Sequence, residues 1–356
     1  RSSDVRFRPH FKTHQSKDAA EWFREFGTTH ITVSSLSMAA YFARHGWTDI
    51  TVAFPLNRRE LHRAAELSEN VRLNLLLLDG ETAELLNERL TARVEVWMKV
   101  DTGYGRTGIR WDDHDSAVAL ARKIDRTEKL EFRGLLTHAG QSYHSHSISE
   151  RQELFAQTAE RLDSLKREIL AAGVEVCEIS VGDTPTSTAV ERFDGVDELR
   201  PGNFVYFDAQ QYHIGSCDED EIAAAVACPV VSLHPERGEC VLYGGAVHLS
   251  AQREEHPDGG GMYGYVVPLA GEDGFATGRT AGNGKIGGVG WGRIDRGSYV
   301  RMVSQEHGVA VCSPGLLEVL RPGSLLGIIP VHSCLAVDLL DTAQDTDGNP
   351  IELGRF

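Results

Sequence analysis

The residues best suited to chemistry fall in a few short segments, beginning with Arg8-Pro-His-Phe-Lys-Thr-His14. This segment reads as a strand end, whose alternation sets His10 and Lys12 on one face. A lysine held among cationic or apolar neighbours loses proton affinity and becomes a usable nucleophile and base. Taken alone, Lys12 is an ordinary exposed lysine; its neighbours along the chain change that reading. Leu135-Leu-Thr-His-Ala-Gly-Gln-Ser-Tyr143 places His138 where its ring can stack on a flat ligand, the alternative being a satisfied core histidine. Val181-Gly-Asp-Thr-Pro-Thr-Ser187 offers backbone N–H groups and hydroxyls to a phosphate, although a simple capped helix explains it equally well. Arg200-Pro-Gly-Asn203 closes another strand facing the same opening. Near the end, Pro330-Val-His-Ser-Cys334 presents His332 and Cys334 in an apolar strand, two positions apart and so on one face. Imidazole nitrogen with thiolate suits Zn²⁺, and two protein ligands leave room for water or substrate, as in catalytic zinc sites.

Lys99-Val-Asp-Thr-Gly-Tyr-Gly-Arg-Thr-Gly108 contains a G-x-G-x-x-G match over residues 103–108, and residues 282–287 contain a second. A dinucleotide fingerprint needs a buried apolar strand end before its first glycine. Charged Lys99 and Asp101 stand there instead, and no clear strand precedes the second match, so this reading is the weaker one.

Those segments need a scaffold that gathers them. Apolar, β-branched runs at 5–12, 31–35, 49–54, 71–78, 94–101, 132–138, 175–181 and 198–206 alternate with helical stretches at 16–27, 36–45, 57–69, 80–91, 112–128, 147–172 and 184–192. Strand–helix alternation implies a parallel sheet covered by helices. Eight strands in roughly 200 residues fit a closed (β/α)8 barrel of TIM type, with an open doubly wound sheet as the runner-up. Functional residues of such barrels cluster at the C-terminal strand ends, where the segments above fall. After residue 207 the pattern changes to runs such as those at 225–231, 239–243 and 325–329, which predict an antiparallel β domain. The expected division is 1–207 for the barrel and 208–356 for the β domain, with the glycine-rich stretch 256–298 as long loops.

The net charge of −16 argues against nucleic acid or an anionic membrane as partner. No apolar run approaches the roughly 20 residues of a membrane-spanning helix. Six scattered cysteines with no C-x-x-C pair predict a reducing, cytoplasmic compartment. The chain opens Arg1-Ser-Ser-Asp with neither methionine nor apolar leader, and this start reads as trimmed.

Together the motifs resemble the fold-type III pyridoxal phosphate enzymes, in the branch of eukaryotic-type D-serine dehydratase and D-threonine aldolase. The resemblance covers nearly the whole chain. It implies pyridoxal 5'-phosphate held as a Schiff base on Lys12, with Arg106 near its phenolic oxygen, His138 stacked on its ring and Tyr143 beside it. It assigns Gly182, Asp183, Thr184, Gly202 and Asn203 to the phosphate, and Arg200 to the pyridine nitrogen. It implies a zinc pair, or a site for another divalent metal, at His332 and Cys334; aldolases of this type tend to carry Asp where Cys334 stands. The family has a segment ahead of the lysine strand that the sequence lacks, and Asp183 is an unexpected neighbour for a phosphate because like charges repel.

The implied reaction is that of a lyase on a D-β-hydroxy-α-amino acid. Lys12 would remove the α-proton, and the metal would assist loss of the β-hydroxyl, giving a 2-oxo acid and ammonia. Retro-aldol cleavage to glycine and an aldehyde is the alternative; a racemase or a non-catalytic pyridoxal phosphate carrier is more distant. A homodimer is implied by the family alone.

Overall fold

The computed structural model describes residues 5–269, 291 and 294–356. The chain divides into two compact units, one of Arg1–Gly202 with Gly354–Phe356 and one of Asn203–Leu353.

In the first unit, strands and helices alternate as the sequence pattern predicts. The strands are β1 (Arg6–Phe7), β2 (Ile31–Val33), β3 (Asp49–Pro55), β4 (Arg72–Leu77), β5 (Val94–Asp101), β6 (Ile109–Arg110), β7 (Leu130–Leu136), β8 (Glu178–Val181) and β9 (Glu198–Leu199). They run parallel in the order β1-β9-β8-β7-β5-β4-β3-β2, with β6 added to the end of β5. A bridge between His10 and Thr32 joins the continuation of β1 to β2 and closes the ring, which rules out the open sheet. The helices are α1 (Lys17–Glu25), α2 (Leu36–Arg44), α3 (Leu61–Ser68), α4 (Gly80–Arg89), α5 (His114–Asp125), α6 (Ile148–Ala171) and α7 (Thr184–Ala189). All of their starts except that of α3 share one device. Ser16, Ser35, Asp79, Asp113, Ser147 and Asp183 each turn a side-chain oxygen onto a free first-turn N–H.

Alternation along the strands sorts the residues into two environments. On β5, Val94, Val96, Met98 and Val100 pack outward into the main core beneath the helices. Glu95, Trp97 and Lys99 take the opposite face and fill the lumen. There Trp97 joins Leu76 and Leu136 in a separate small cluster, and its Nε1 donates to Asn74 Oδ1 at 3.2 Å. Below this plug, at the N-terminal strand ends, the filling is ionic. Arg6 and Arg133 pair with Glu178, Arg72 with Glu95, and Arg8 with both Asp49 and Glu198.

The second unit is built around a closed antiparallel barrel. Its first helix is α8 (Ala209–Ile214), followed by β10 (Val226–His234), β11 (Glu239–Tyr243) and α9 (Ala246–Leu249). Then come β12 (Glu254–Glu255), β13 (Gly261–Met262), β14 (Gly264–Pro268), β15 (Tyr299–Val303), β16 (His307–Val311), α10 (Pro314–Val319), β17 (Leu325–Pro330) and α11 (Ser333–Leu339). The barrel closes in the order β10-β11-β16-β15-β14-β17. The expectation of long loops over 256–298 fails at β14, which pairs along its length with β17. Buried Tyr265, Val266 and Val267 make this a core strand, and the surrounding glycines hid their pattern. The second G-x-G-x-x-G match, at residues 282–287, lies outside the described residues. Among the described residues no helix is long and apolar enough to cross a membrane.

Close to the start, His14 is buried among Phe11 and Phe23, its Nδ1 accepting from Ser16 N at 3.1 Å. Burial pushes its pKa down to about 3. The unfolded chain therefore binds a proton here between about pH 6.5 and 3 that the folded chain refuses, so stability falls as the pH drops through that window. At 1.36 kcal/mol per pKa unit the loss from this histidine is on the order of 5 kcal/mol at most. Urea midpoints measured from pH 7 to 4 should fall less steeply for His14→Gln than for the wild type; parallel slopes would show that His14 does not titrate on unfolding.

Candidate active site

The C-terminal strand ends of the parallel barrel collect most of the residues singled out in the sequence. Lys12 itself differs from expectation in its local structure. Ladder bonds continue past β1 through His10, whose N donates to Pro201 O at 2.9 Å, and residues 11–14 then form a turn in which Gln15 N donates to Phe11 O at 3.0 Å. Strand alternation therefore does not relate His10 to Lys12. The turn joins them differently, since Lys12 N donates to His10 Nδ1 at 3.4 Å while Lys12 remains exposed.

Four cationic side chains surround this point in a protein of net charge −16. His10 is held well below the usual imidazole range, first by burial and then by the fields of Lys12, Arg200 and His138. His138 is pushed down to about 3, chiefly by burial, with Lys12, Arg106 and Lys99 adding to the shift. Lys99, which the sequence reading passed over as a site residue, is lowered to about 7 by burial and by Arg200 and Arg106. Its Nζ donates to Val100 O at 2.9 Å. Lys12, Lys99, Arg106 and Arg200 thus share one neighbourhood, and the two histidines between them are neutral at physiological pH. The signal for Lys99 was present: on the alternating face of β5 it follows Glu95 and Trp97 into the lumen.

Individual residues are positioned by specific partners. His138 Nδ1 lies 2.7 Å from Gly182 O, so the neutral ring carries its proton on Nδ1 and leaves Nε2 as an acceptor. The Tyr143 ring lies 6.0 Å from that of His138, and the Tyr104 ring 6.1 Å from it on an edge-to-face line. Tyr104 was not anticipated. Its ring occupies the space a side chain on Gly140 would need, and Arg106 stacks over it at 5.2 Å. Asp101 fixes this loop by accepting from Gly103 N and Gly105 N at 2.9 and 3.0 Å. Those backbone donors outweigh partial burial and hold its carboxyl below the usual range.

The phosphate-like segment also proves more structural than its composition implied. Asp183 caps α7 through Thr186 N at 2.9 Å and accepts from Ser142 Oγ at 2.7 Å. Burial pushes its pKa up, against the pull of those hydrogen bonds. The Thr184 hydroxyl beside it is buried with no partner. A Cβ on Gly182 would lie 2.7 Å from Arg200 Cβ, and one on Gly202 2.9 Å from His10 O. Both glycines therefore let neighbouring strand ends approach closely. Arg200 is buried and lowered to about 10 by that burial.

His332 and Cys334 correct a second expectation. They do not lie on one strand: β17 ends at Pro330, His332 caps α11, and Cys334 sits in its first turn. Other residues of the second unit tie them together. Asp208 Oδ2 lies 3.5 Å from His332 Nδ1 and accepts from Ser333 N at 2.9 Å and Asn203 Nδ2 at 2.6 Å. Asn203 Nδ2 is also 3.9 Å from Cys334 Sγ. The Asn203 side chain is thus engaged in this cluster. Among the described residues no group of three or more His, Cys, Asp or Glu side chains forms a metal-holding set. The pair supplies two donors of the softness zinc prefers.

This fold and rim define a class. The chain belongs to the fold-type III pyridoxal phosphate enzymes, a family of alanine racemase-type barrels, here joined to the second domain of the dehydratase branch. The model for the alanine racemase N-terminal domain matches residues 2–210, and that for a putative serine dehydratase domain matches 223–344. Its curated relatives include the D-threo-3-hydroxyaspartate dehydratase of Delftia sp. HT23, 30% identical over 93% of this chain and 84% of that protein. The D-serine dehydratase of Dictyostelium discoideum is 26% identical over 70% and 68%. The solved Delftia structure matches 99% of this chain and 91% of that one, with TM-score 0.85 and 27% identity. Alanine variants of that enzyme at a histidine and at a cysteine two positions later have also been solved, the cysteine variant in a metal-free form. D-threonine aldolase from Filomicrobium marinum shares the fold, with TM-score 0.78 and 20% identity over 98% of this chain and 88% of that one. The motif-based expectations of family, fold class and lyase activity are met by these matches.

The close approach at Gly182 gives a direct test of this packing. Gly182→Ala should displace the Arg200 backbone and cost about 1–3 kcal/mol, as overpacking does in tight interiors. Urea unfolding measures this, and an unchanged midpoint would show that the strand ends have slack.

Proposed function

We propose that this protein dehydrates a D-β-hydroxy-α-amino acid to a 2-oxo acid and ammonia, using pyridoxal phosphate on Lys12 and a divalent metal, zinc by donor chemistry, on His332 and Cys334. The reading rests chiefly on the cluster of Lys12, Lys99, Arg106 and Arg200 at one strand-end rim of an acidic protein. Such a cluster suits a ligand carrying a phosphate and a phenolic oxygen.

The residues of the rim fit that cofactor. Thr184 Oγ1 is a buried hydroxyl without a partner, as a phosphate oxygen requires. His138 offers a neutral ring to stack, because burial pushes its pKa down to about 3, and the Nδ1 proton donated to Gly182 O fixes its orientation. Arg106 and Tyr104 are held together on a loop clamped by Asp101. When bound, the cofactor supplies an electron sink for charge developing at the substrate Cα. Lys12 holds the cofactor and then serves as base for the α-proton. The exposed turn lets its flexible side chain move between those tasks. When bound, the metal supplies Lewis acidity to the β-hydroxyl oxygen. Asp208 orients His332 by facing its Nδ1, the arrangement that fixes a metal-binding histidine. Cysteine at 334, where aldolases tend to carry aspartate, favours dehydration over retro-aldol cleavage. In this reading 1–207 carries the cofactor and 208–356 the metal pair. The family resemblance supports a homodimer, and six cysteines that form no disulfide support a cytoplasmic enzyme.

Two outcomes are expected. Borohydride treatment of protein incubated with pyridoxal phosphate should leave an irreversible adduct on the Lys12 peptide by mass spectrometry. Lys12→Ala should lack the adduct and lose at least about 10³-fold in rate. Incubation with D-serine or D-threo-3-hydroxyaspartate should release ammonia and a 2-oxo acid; glycine plus an aldehyde would establish the aldolase instead. Independently, Cys334→Ala should lower bound zinc, read by elemental analysis, and slow elimination about 10–100-fold. Full activity in a metal-stripped protein would remove the metal from the mechanism.

A further inference from the structure

The barrel lumen contains a hydrogen-bonded series of buried groups that runs from its N-terminal end to the rim. Arg8 Nη1 donates to Asp49 Oδ1 at 2.5 Å, and Arg8 Nε to Glu198 Oε2 at 2.7 Å. Ser180 Oγ donates to Glu198 Oε1 at 2.7 Å, and Arg200 Nε lies 2.7 Å from the same Ser180 oxygen. Glu198 and Ser180 are fully buried, and Arg8 and Arg200 nearly so. Strand register creates the arrangement, since Ser180 and Glu198 are paired across β8 and β9.

The chemistry of the series is directional. An ionised carboxylate only accepts hydrogen bonds, so Ser180 must give its proton to Glu198. Its lone pair is thereby aimed at Arg200 Nε–H. A serine facing Arg200 without Glu198 could turn its proton elsewhere. Nη2 of Arg200 is used by Thr137 O at 2.5 Å and Ser180 O at 3.3 Å. Nη1 is the guanidinium nitrogen these bonds leave over. Burial works most strongly against the charge on Arg200, with the field of Arg8 adding to it, and the field of Glu198 is the largest influence opposing them.

We propose that Glu198, acting through the Ser180 hydroxyl, is a positioning residue that fixes the orientation and charge of Arg200 toward the ring nitrogen of the cofactor. The proposal rests on the reading that this rim holds pyridoxal phosphate. It gives Arg8 a defined task as well: Arg8 neutralises the far side of Glu198 while its Nη1 donates to Asp49.

The test uses the full-length protein reconstituted with pyridoxal phosphate, as wild type, Ser180→Ala, Glu198→Gln and, as a purely destabilising control, Leu76→Ala. The readouts are the pH midpoint of the cofactor's visible absorbance, its dissociation constant, kcat against KM, and Tm. Ser180→Ala should shift the midpoint by about one pH unit and weaken cofactor binding about tenfold. It should lower kcat about 10–100-fold with KM changed less than about threefold. Glu198→Gln should move the midpoint in the same direction, and Leu76→Ala should lower Tm without moving it. If Glu198→Gln fails to fold, because it strands Arg8, Ser180→Ala carries the test alone. A normal absorbance band in the wild type with an unmoved midpoint in Ser180→Ala overturns the proposal and leaves the cofactor reading intact. No band and no borohydride-reducible adduct in the wild type overturns the cofactor reading on which the proposal stands.

Discussion

Closing eight strands into a ring creates an interior that side chains must fill, and the way this interior is filled determines the rest of the first unit. Every second residue of a strand is committed to the lumen. On β5 that sequence is Glu95, Trp97, Lys99, which takes the lumen from paired charge, through an apolar plug, to a cationic rim. The lower charges are matched arginine to carboxylate, so they settle the register of the strands with little net field. At the rim the matching stops, and the cations there outnumber the carboxylates that face them.

That imbalance explains why an acidic protein suits an anionic ligand. Local charge at a desolvated site outweighs a diffuse surface charge, which solvent and salt screen. Burial, with the same fields adding to it, holds His10 and His138 neutral. A neutral imidazole with one committed proton has a fixed orientation, so electrostatics and geometry act together at His138. The second unit follows a different logic. There a short hydrogen bond joins Asn203 to Asp208, which lie 3.9 Å from Cys334 Sγ and 3.5 Å from His332 Nδ1 respectively.

Much of this was legible from residue order, because strand–helix alternation and strand-end position are local properties. All eight strands of the parallel barrel and the helices between them lie where periodicity places them. Legibility failed where the chain departed from the pattern. The chain turns at residues 11–14 and so takes Lys12 off the strand, and β17 ends at Pro330, before His332. Glycines around Tyr265-Val-Val-Pro268 disguised a core strand as loop. Glu198 and Ser180 were invisible for another reason. Their roles depend on the lateral register between adjacent strands β8 and β9, which no motif encodes.

The plug of Leu76, Trp97 and Leu136 has one more consequence. All three are essentially without solvent contact, so the lumen is sealed partway along its axis. The rim is the single doorway of this barrel rather than one end of a tunnel. Whatever enters to react must leave by the way it came, and the next molecule waits until the doorway clears.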